Sequence, residues 1–296
     1  MLLATYQGAA HLDAQLGSLA AQRGADWCLL WRDDGSTDAT VPLLERFAAA
    51  HPGRTARLEG GGRLGAGASF MALLAAAPPA DAYAFMDQDD VWLPGKLARG
   101  AALLARGHEL ACGRLRLVDE ALRPLGLSPL PRHTPGFASL LAHNVVAGCT
   151  TLLSPRGRAL ALSAPPPPGG VHDWWCALLV TGCGGRLAFD AEPTILYRQH
   201  AANLVGGAAS LPARAWRALS RGAAPFREGL VRHLTALEAA PLTPEARGAV
   251  ELLRRLPEVG PLGRLRLMRA AGLRHHDSRG DALLRLWMLL GAPPHA

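Results

Sequence analysis

The chain has 296 residues, 49% of them hydrophobic, with 33 Gly and 23 Pro. That apolar fraction suits a globular core and excludes a disordered chain, no run approaches the roughly 18–20 apolar residues of a membrane span, and five scattered cysteines without CxxC spacing (Cys28, Cys112, Cys149, Cys176, Cys183) argue against a zinc site or a disulfide framework. The formal charge of +7 is uneven: residues 1–200 hold 17 basic and 17 acidic side chains, whereas residues 201–296 hold 14 Arg against 7 acids, so the whole excess lies in the last third.

The first predicted element is the apolar run Met1 to Tyr6, a strand that stops at Gln7-Gly8. It begins so early that either the sheet edge is short there or the start codon is placed too far downstream. The N-terminus lacks a basic region and a longer apolar core, so no signal peptide is expected and the cytoplasm is the default compartment. Leu12, Leu16 and Leu19 recur at helical spacing within 11–21, and Trp27 to Trp31 reads as a second buried strand, giving β-α-β. That strand ends in Arg32-Asp33-Asp34-Gly35-Ser36-Thr37-Asp38 ahead of a helix over 41–50. Acids at a strand end, a turn glycine and capping side chains are the grammar of a loop at the ligand edge of a sheet. A carboxylate there accepts hydrogen bonds from a nucleobase N–H or a ribose hydroxyl, while Asp38 reads as a cap.

Glycines at 60–62, 65 and 67, followed by a helix over 69–77, resemble a phosphate-cradling loop but lack the GxxxxGK[ST] spacing. Pro78-Pro79 closes that helix. The run Ala82 to Met86 then delivers Asp87-Gln88-Asp89-Asp90, followed by Val91-Trp92-Leu93-Pro94. Three carboxylates within four residues repel one another unless a cation sits among them, and Mg²⁺ or Mn²⁺ takes such oxygen ligands. A solvated acidic turn capping the next helix is the competing reading. Further on, the sequence predicts a helix over 96–105 and strands over 110–118 and 145–153, the last with Gly148 inside it, marking either close approach of a ligand or a bulge.

The Pro165–Pro168 run and Gly169-Gly170 lead into Val171-His172-Asp173-Trp174-Trp175, the start of an apolar helix. A carboxylate at a helix N-terminus between aromatics suits a general base, since burial raises its pKa and the helix end lowers it; an N-cap is the alternative. Short strands at 186–190 and 194–197 precede Arg198-Gln199-His200 and Gly206-Gly207, where a guanidinium matches phosphate oxygens. From about residue 208 the pattern is Arg-rich and helical, suited either to an anionic leaflet or to packing on the preceding domain with a solvated Arg face. No nucleic-acid module is present in the sequence, and nucleic acid is not an expected partner.

The motifs Ala4 to Gly8, Arg32 to Asp38, Met86 to Lys96, His172 to Trp175 and Tyr197 to His200 resemble, in order and spacing, the GT-A inverting glycosyltransferases of family 2, in particular the bacterial rhamnosyltransferase-like branch. The resemblance covers about residues 1–207. It implies an α/β GT-A fold, a Rossmann-like, mostly parallel mixed sheet flanked by helices, in a domain 1–207, with a basic helical C-terminal region 208–296. It implies a nucleotide-diphosphosugar donor, with dTDP-rhamnose as the leading candidate, and a saccharide or lipid-linked saccharide acceptor in cell-surface polysaccharide or glycolipid synthesis, at a site served by Mg²⁺ or Mn²⁺. Thr5, Tyr6, Asp33 and Asp34 would form the nucleoside pocket, Asp87 and Arg198 would meet ribose and diphosphate, Asp89 and His200 would bind metal, and Asp173 would be the catalytic base. The segment Ala111 to Arg114 lacks the acid common there in the family, and Ser69 stands where the branch usually has Asn. A non-catalytic sugar-nucleotide-binding protein and a metal-dependent phosphohydrolase remain the alternatives.

Overall fold

A computed structural model describes residues 1–60, 62–199 and 223–290. Strands and helices alternate through β1 (Leu2–Thr5), α1 (Ala9–Ala20), β2 (Leu29–Asp33), α2 (Thr40–Ala50), β3 (Thr55–Arg57), α3 (Ala66–Ala76) and β4 (Tyr83–Met86). There follow β5 (Val91–Trp92), α4 (Lys96–Leu104), β6 (Leu110–Gly113), β7 (Arg116–Val118), β8 (Pro124–Leu127), α5 (Phe137–Ala142), β9 (Leu152–Leu153), α6 (Pro155–Ala161), α7 (His172–Gly182), β10 (Leu187–Asp190) and β11 (Ile195–Arg198). The C-terminal region contributes α8 (Ala224–Ala236), α9 (Pro244–Arg254), α10 (Pro261–Ala270) and α11 (Ser278–Leu290).

Among the described residues, seven strands form one sheet in the order β10-β6-β9-β4-β1-β2-β3, parallel except for β9. Period-two alternation gives this sheet two apolar faces. Leu2, Phe85, Leu110 and Leu153 point into one cluster, and their neighbours Leu3, Ala84, Ala111 and Leu152 into the other. The first cluster continues through Trp175 and Leu178 of α7 into Leu234, Val250, Met268 and Leu284. The C-terminal helices therefore bury their apolar stripes against the same core as the sheet. None of the described helices is long and apolar enough to cross a membrane.

Two predicted strands differ from what forms. The 110–118 run breaks at Arg114-Leu115, because β6 stays in the large sheet while β7 joins a smaller one ordered β5-β11-β7-β8. The 145–153 run is largely a 3-10 turn at Gly148–Thr150, since the Thr150 and Thr151 N–H groups bond back to Ala147 and Gly148 and only Leu152–Leu153 reaches the ladder.

Candidate active site

Because β4, β1 and β2 are adjacent and parallel, their C-terminal ends open on one edge of the sheet, with Leu3 opposite Met86 and Thr5 opposite Asp33. The acids that close the β2 and β4 runs in sequence thus flank the end of β1 on one edge of the sheet. The β1 and β4 loops are tied by an amide pairing that sequence reading missed: Tyr6 N–H donates to Gln88 Oε1 at 2.9 Å and Gln88 Nε2 donates to Tyr6 O at 3.0 Å. Its only local sign is an amide set between acids.

On the β2 side, Asp33 is fully engaged. Its Oδ1 accepts from the hydroxyls of Thr5 (2.9 Å) and Ser36 (2.6 Å), and its Oδ2 from the N–H groups of Gly35 (3.0 Å) and Ser36 (2.7 Å). Thr5 is buried beneath it. Asp38 does not cap its own helix by the usual side-chain bond to N2 or N3; it bonds Thr40 and also accepts from the N–H of Ala9, the first residue of α1.

Asp34 is buried and ion-paired with the buried Arg32 at 2.6 Å. Its carboxylate also accepts the Leu64 and Gly65 N–H groups, both at 2.7 Å. Burial would push this carboxyl up, but the Leu64 N–H, the Arg32 guanidinium and the Gly65 N–H together hold it below the usual carboxylate range. The glycine loop is therefore an anion cradle whose anion is Asp34, not a phosphate. Gly65 sits at φ +81°, a conformation suited to glycine that points its N–H at the acid. Arg32 is a positioning residue absent from the sequence reading; it also donates to Ser69 Oγ at 2.8 Å and to the Gly62 carbonyl. Above this base lies a cleft of about 440 Å³ walled by Tyr6, Asp33, Asp34, Arg57 and Glu59, with the Arg63 guanidinium 4.2 Å above the Tyr6 ring.

On the β4 side the carboxylates crowd one another. Burial, then the charges of Asp89 and Asp173, raise Asp87 to about 7. Asp90 is fully buried and is raised well above the usual range by burial, Asp87 and Asp89. Its Oδ1 accepts the Arg198 N–H at 3.2 Å, and its Oδ2 has no partner. Below it Lys96 is buried with its ammonium 4.7 Å from the Trp92 ring centre, lowered to about 8 by burial. Arg198 is buried as well and donates through Nε to the Asp89 carbonyl at 2.9 Å and through its terminal nitrogen to the Glu120 carbonyl. It grips the backbone of the acidic loop. His200 and the Gly206-Gly207 pair lie outside the described residues.

Residues 148 and 149 join this cluster to Asp173. The Gly148 N–H donates to Asp173 Oδ2 at 2.7 Å, and Cys149 Sγ lies within 4.8 Å of ligand oxygens of Asp87 and Asp90. A Cβ at Gly148 would come 2.7 Å from His172 Nε2 and 3.3 Å from Asp173 Oδ2, so glycine is required by the close approach of α7. Asp173 occupies the first turn of α7, whose N-cap is Val171. Its Oδ1 accepts from Asn144 Nδ2 (3.1 Å) and Trp174 N–H (2.5 Å), which leaves Oδ2 one lone pair. Burial pushes Asp173 up to about 6 against these three donors. Asn144, 29 residues upstream, carried no local signal. His172 is packed between Phe70 (4.2 Å, stacked) and Phe85 (4.7 Å, edge-on), and burial lowers it to about 3. It is a neutral core side chain.

The family model for glycosyl transferase family 2 matches residues 2–152. The chain is 26% identical over 227 residues to the dTDP-rhamnosyl transferase RfbG of Shigella flexneri, covering 72% of this chain and 76% of that protein. It is also 26% identical over 223 residues to the uncharacterized glycosyltransferase alr2836 of Nostoc sp. (71% of this chain, 67% of that one). Among solved structures, S. aureus TarS residues 1–349 in complex with UDP-GlcNAc superimposes with a TM-score of 0.60 at 16% identity, covering 96% of this chain and 84% of that one. The mannosyltransferase PcManGT from Pyrobaculum calidifontis, in complex with GDP-Man and Mn²⁺, gives a TM-score of 0.51 at 18% identity (96% and 77%).

Proposed function

The chain belongs to glycosyl transferase family 2, and we propose that it transfers a sugar, with inversion, from a nucleotide-diphosphosugar to an acceptor hydroxyl. The observation that carries this reading is the meeting of a preassembled cleft, an unbalanced acidic loop and a buried Asp173 on one sheet edge. Rhamnose from a dTDP donor is the preferred donor, supported by the likeness to RfbG.

The nucleoside occupies the cleft above Asp33 and Asp34, with its base against Tyr6. Asp33 has spent all four lone pairs on the loop, so it shapes the pocket. Asp34 keeps an acceptor position on Oδ2 for a base N–H. The donor set beside the cleft fits a hard divalent cation: Asp87 and Asp89 are carboxylates whose mutual repulsion a cation would relieve. Asp89 would hold Mg²⁺ or Mn²⁺ with Asp87 beside it and His200 as a further ligand; when bound, the ion neutralises charge on the departing diphosphate. Arg198 fixes the Asp89 backbone that presents these oxygens.

Asp173 Oδ2 takes the proton of the acceptor hydroxyl. The acceptor oxygen bonds to the anomeric carbon as the bond from that carbon to the diphosphate oxygen breaks, and the electron pair leaves with the nucleoside diphosphate. Asn144, Gly148 and Trp174 hold the carboxylate in place, and the Trp174 indole is itself anchored on the Leu140 carbonyl at 2.6 Å. The C-terminal region would face an anionic membrane surface, since Leu262, Leu286, Leu289 and Leu290 are exposed on the Arg-rich α10 and α11.

Calorimetry with thymidine, uridine and guanosine diphosphosugars in Mn²⁺ tests the reading. Saturable binding of one class is expected; binding of none removes the central claim.

A further inference from the structure

Beneath the acidic loop the fold buries three ionisable groups that the transfer chemistry does not use. Asp90 is 0% exposed; its Oδ1 accepts the Arg198 N–H and its Oδ2 has no hydrogen-bond partner. Lys96 is 2% exposed, and its ammonium, 4.7 Å from the Trp92 ring centre, also has none. Cys149, 1% exposed, lies in the 3-10 turn Gly148–Thr150. A buried polar atom without a partner is costly in a folded protein, and here two such groups of opposite sign act on the same thiol.

Among the described residues, a carboxylate oxygen each from Asp87 and Asp90 and the Sγ of Cys149 all lie within 4.8 Å of one another. The geometry points to a second cation position, separate from the one at Asp89, formed by Asp87, Asp90 and Cys149 and taking a thiophilic dication of the Zn²⁺ class. Bonds of about 2.0–2.2 Å to oxygen and about 2.3 Å to sulfur put tetrahedral ligand atoms about 3.3–3.7 Å apart, so shifts of about an ångström close the set on an ion, with the fourth position left to water. Charge closes as well. Two carboxylates and a thiolate set three negative charges against two on the ion and one on Lys96, which is attracted by Cys149 and Asp90. Without the ion, burial and then the charges of Asp90 and Asp87 hold the Cys149 thiol well above its ordinary value. The sulfur–metal bond therefore forms as the S–H bond breaks, and the proton leaves to solvent. The sulfur distinguishes this set from the oxygen ligands that suit Mg²⁺ or Mn²⁺ at Asp89. Cysteine spacing argued against a CxxC site; here one thiol is joined by two carboxylates that only the fold brings to it. An ion there would tie the acidic loop to the turn whose Gly148 N–H holds Asp173.

The test uses the full chain, free of any affinity-tag histidines, stripped of metal and kept reduced with a phosphine, titrated with Co²⁺ in excess Mg²⁺. One equivalent giving a near-ultraviolet sulfur-to-cobalt charge-transfer band is the expected result. The band should vanish in Cys149→Ala, which removes only the sulfur, and in Asp90→Asn. It should persist in Asp89→Asn and in Cys28→Ala, which removes the exposed thiol. Absence of the band, or its survival in Cys149→Ala, overturns the site. Loss in Asp89→Asn with survival in Asp90→Asn also overturns it, because the ion would then belong to Asp89. None of these outcomes depends on sugar transfer, so failure here is distinguishable from failure of the glycosyltransferase reading.

Discussion

Asp34 and Asp87 follow parallel strands of the same sheet, β2 and β4 on either side of β1, yet their surroundings are opposite. Asp34 is met by a guanidinium and two backbone N–H groups and stays ionised. Asp87 is met by two more carboxylates and rises to about 7. The first acid is part of a finished scaffold, whereas the second stands among like charges that a bound cation would relieve. Asp173 lies between these extremes, since it has three hydrogen-bond donors and is nevertheless pushed up to about 6. That combination holds a carboxylate in one orientation while leaving it basic enough to take a proton.

The largest expected effect tests this middle case. Asp173→Asn should lower turnover by about 10²–10⁴-fold, the range for loss of a general base, with donor affinity by calorimetry nearly unchanged. In the wild type the base works only when ionised, so kcat/KM should fall about tenfold per pH unit below about 6. Retained turnover in the variant would remove Asp173 from the chemistry.

The scaffold acid predicts a folding effect instead. Asp34→Ala would leave the Arg32 guanidinium buried without its carboxylate and free two N–H groups of the glycine loop. Breaking a buried ion pair in this way costs about 3–5 kcal/mol. Chemical denaturation should show that loss; a midpoint shift corresponding to less than about 1 kcal/mol would mean the Arg32–Asp34 pair is dispensable scaffolding.

Much of this contrast was legible in the sequence, and the rest was not for identifiable reasons. Apolar runs ending in acids placed Asp33, Asp34 and Asp87 at strand ends because burial imposes that pattern locally. Arg32 on β2 and Asp34 just past its end are two residues apart, so their pairing is a short-range one within a single motif. The Asn144 bond to Asp173 and the meeting of His133 with His276 had no local signal, since each joins residues that only the tertiary fold brings together. The 110–118 run looked like one strand because its apolar pattern continues across Arg114, whereas the chain changes sheets there.

A smaller effect concerns the acid that stands among like charges. A carboxylate must lose its proton to bind a metal ion. With Asp87 raised to about 7, Mn²⁺ affinity should strengthen about tenfold per pH unit from pH 5 to 7 and level off above. Proton release measured by calorimetry in buffers of different ionisation enthalpy checks this directly. A flat affinity over that range would place the ion away from Asp87.

The smallest effect separates the two acids by sign. An aspartate raised from 3.8 to about 7 on folding binds more protons in the native than in the unfolded state between those values. Metal-free stability therefore carries Asp87's contribution in full below pH 3.8 and loses it as pH rises towards 7, where the ionised group is held among like charges. Asp87→Asn removes that loss, so the metal-free variant should match or exceed the wild type in Tm at pH 7.5 and show a shallower decline from pH 4 to 7. Added Mn²⁺ should reverse the order, because an ion that binds only the native state raises the wild-type Tm and has lost a neighbouring carboxylate in the variant. A variant less stable than the wild type in the absence of metal would show Asp87 to be scaffold like Asp34, and the contrast between the two strand ends would fail.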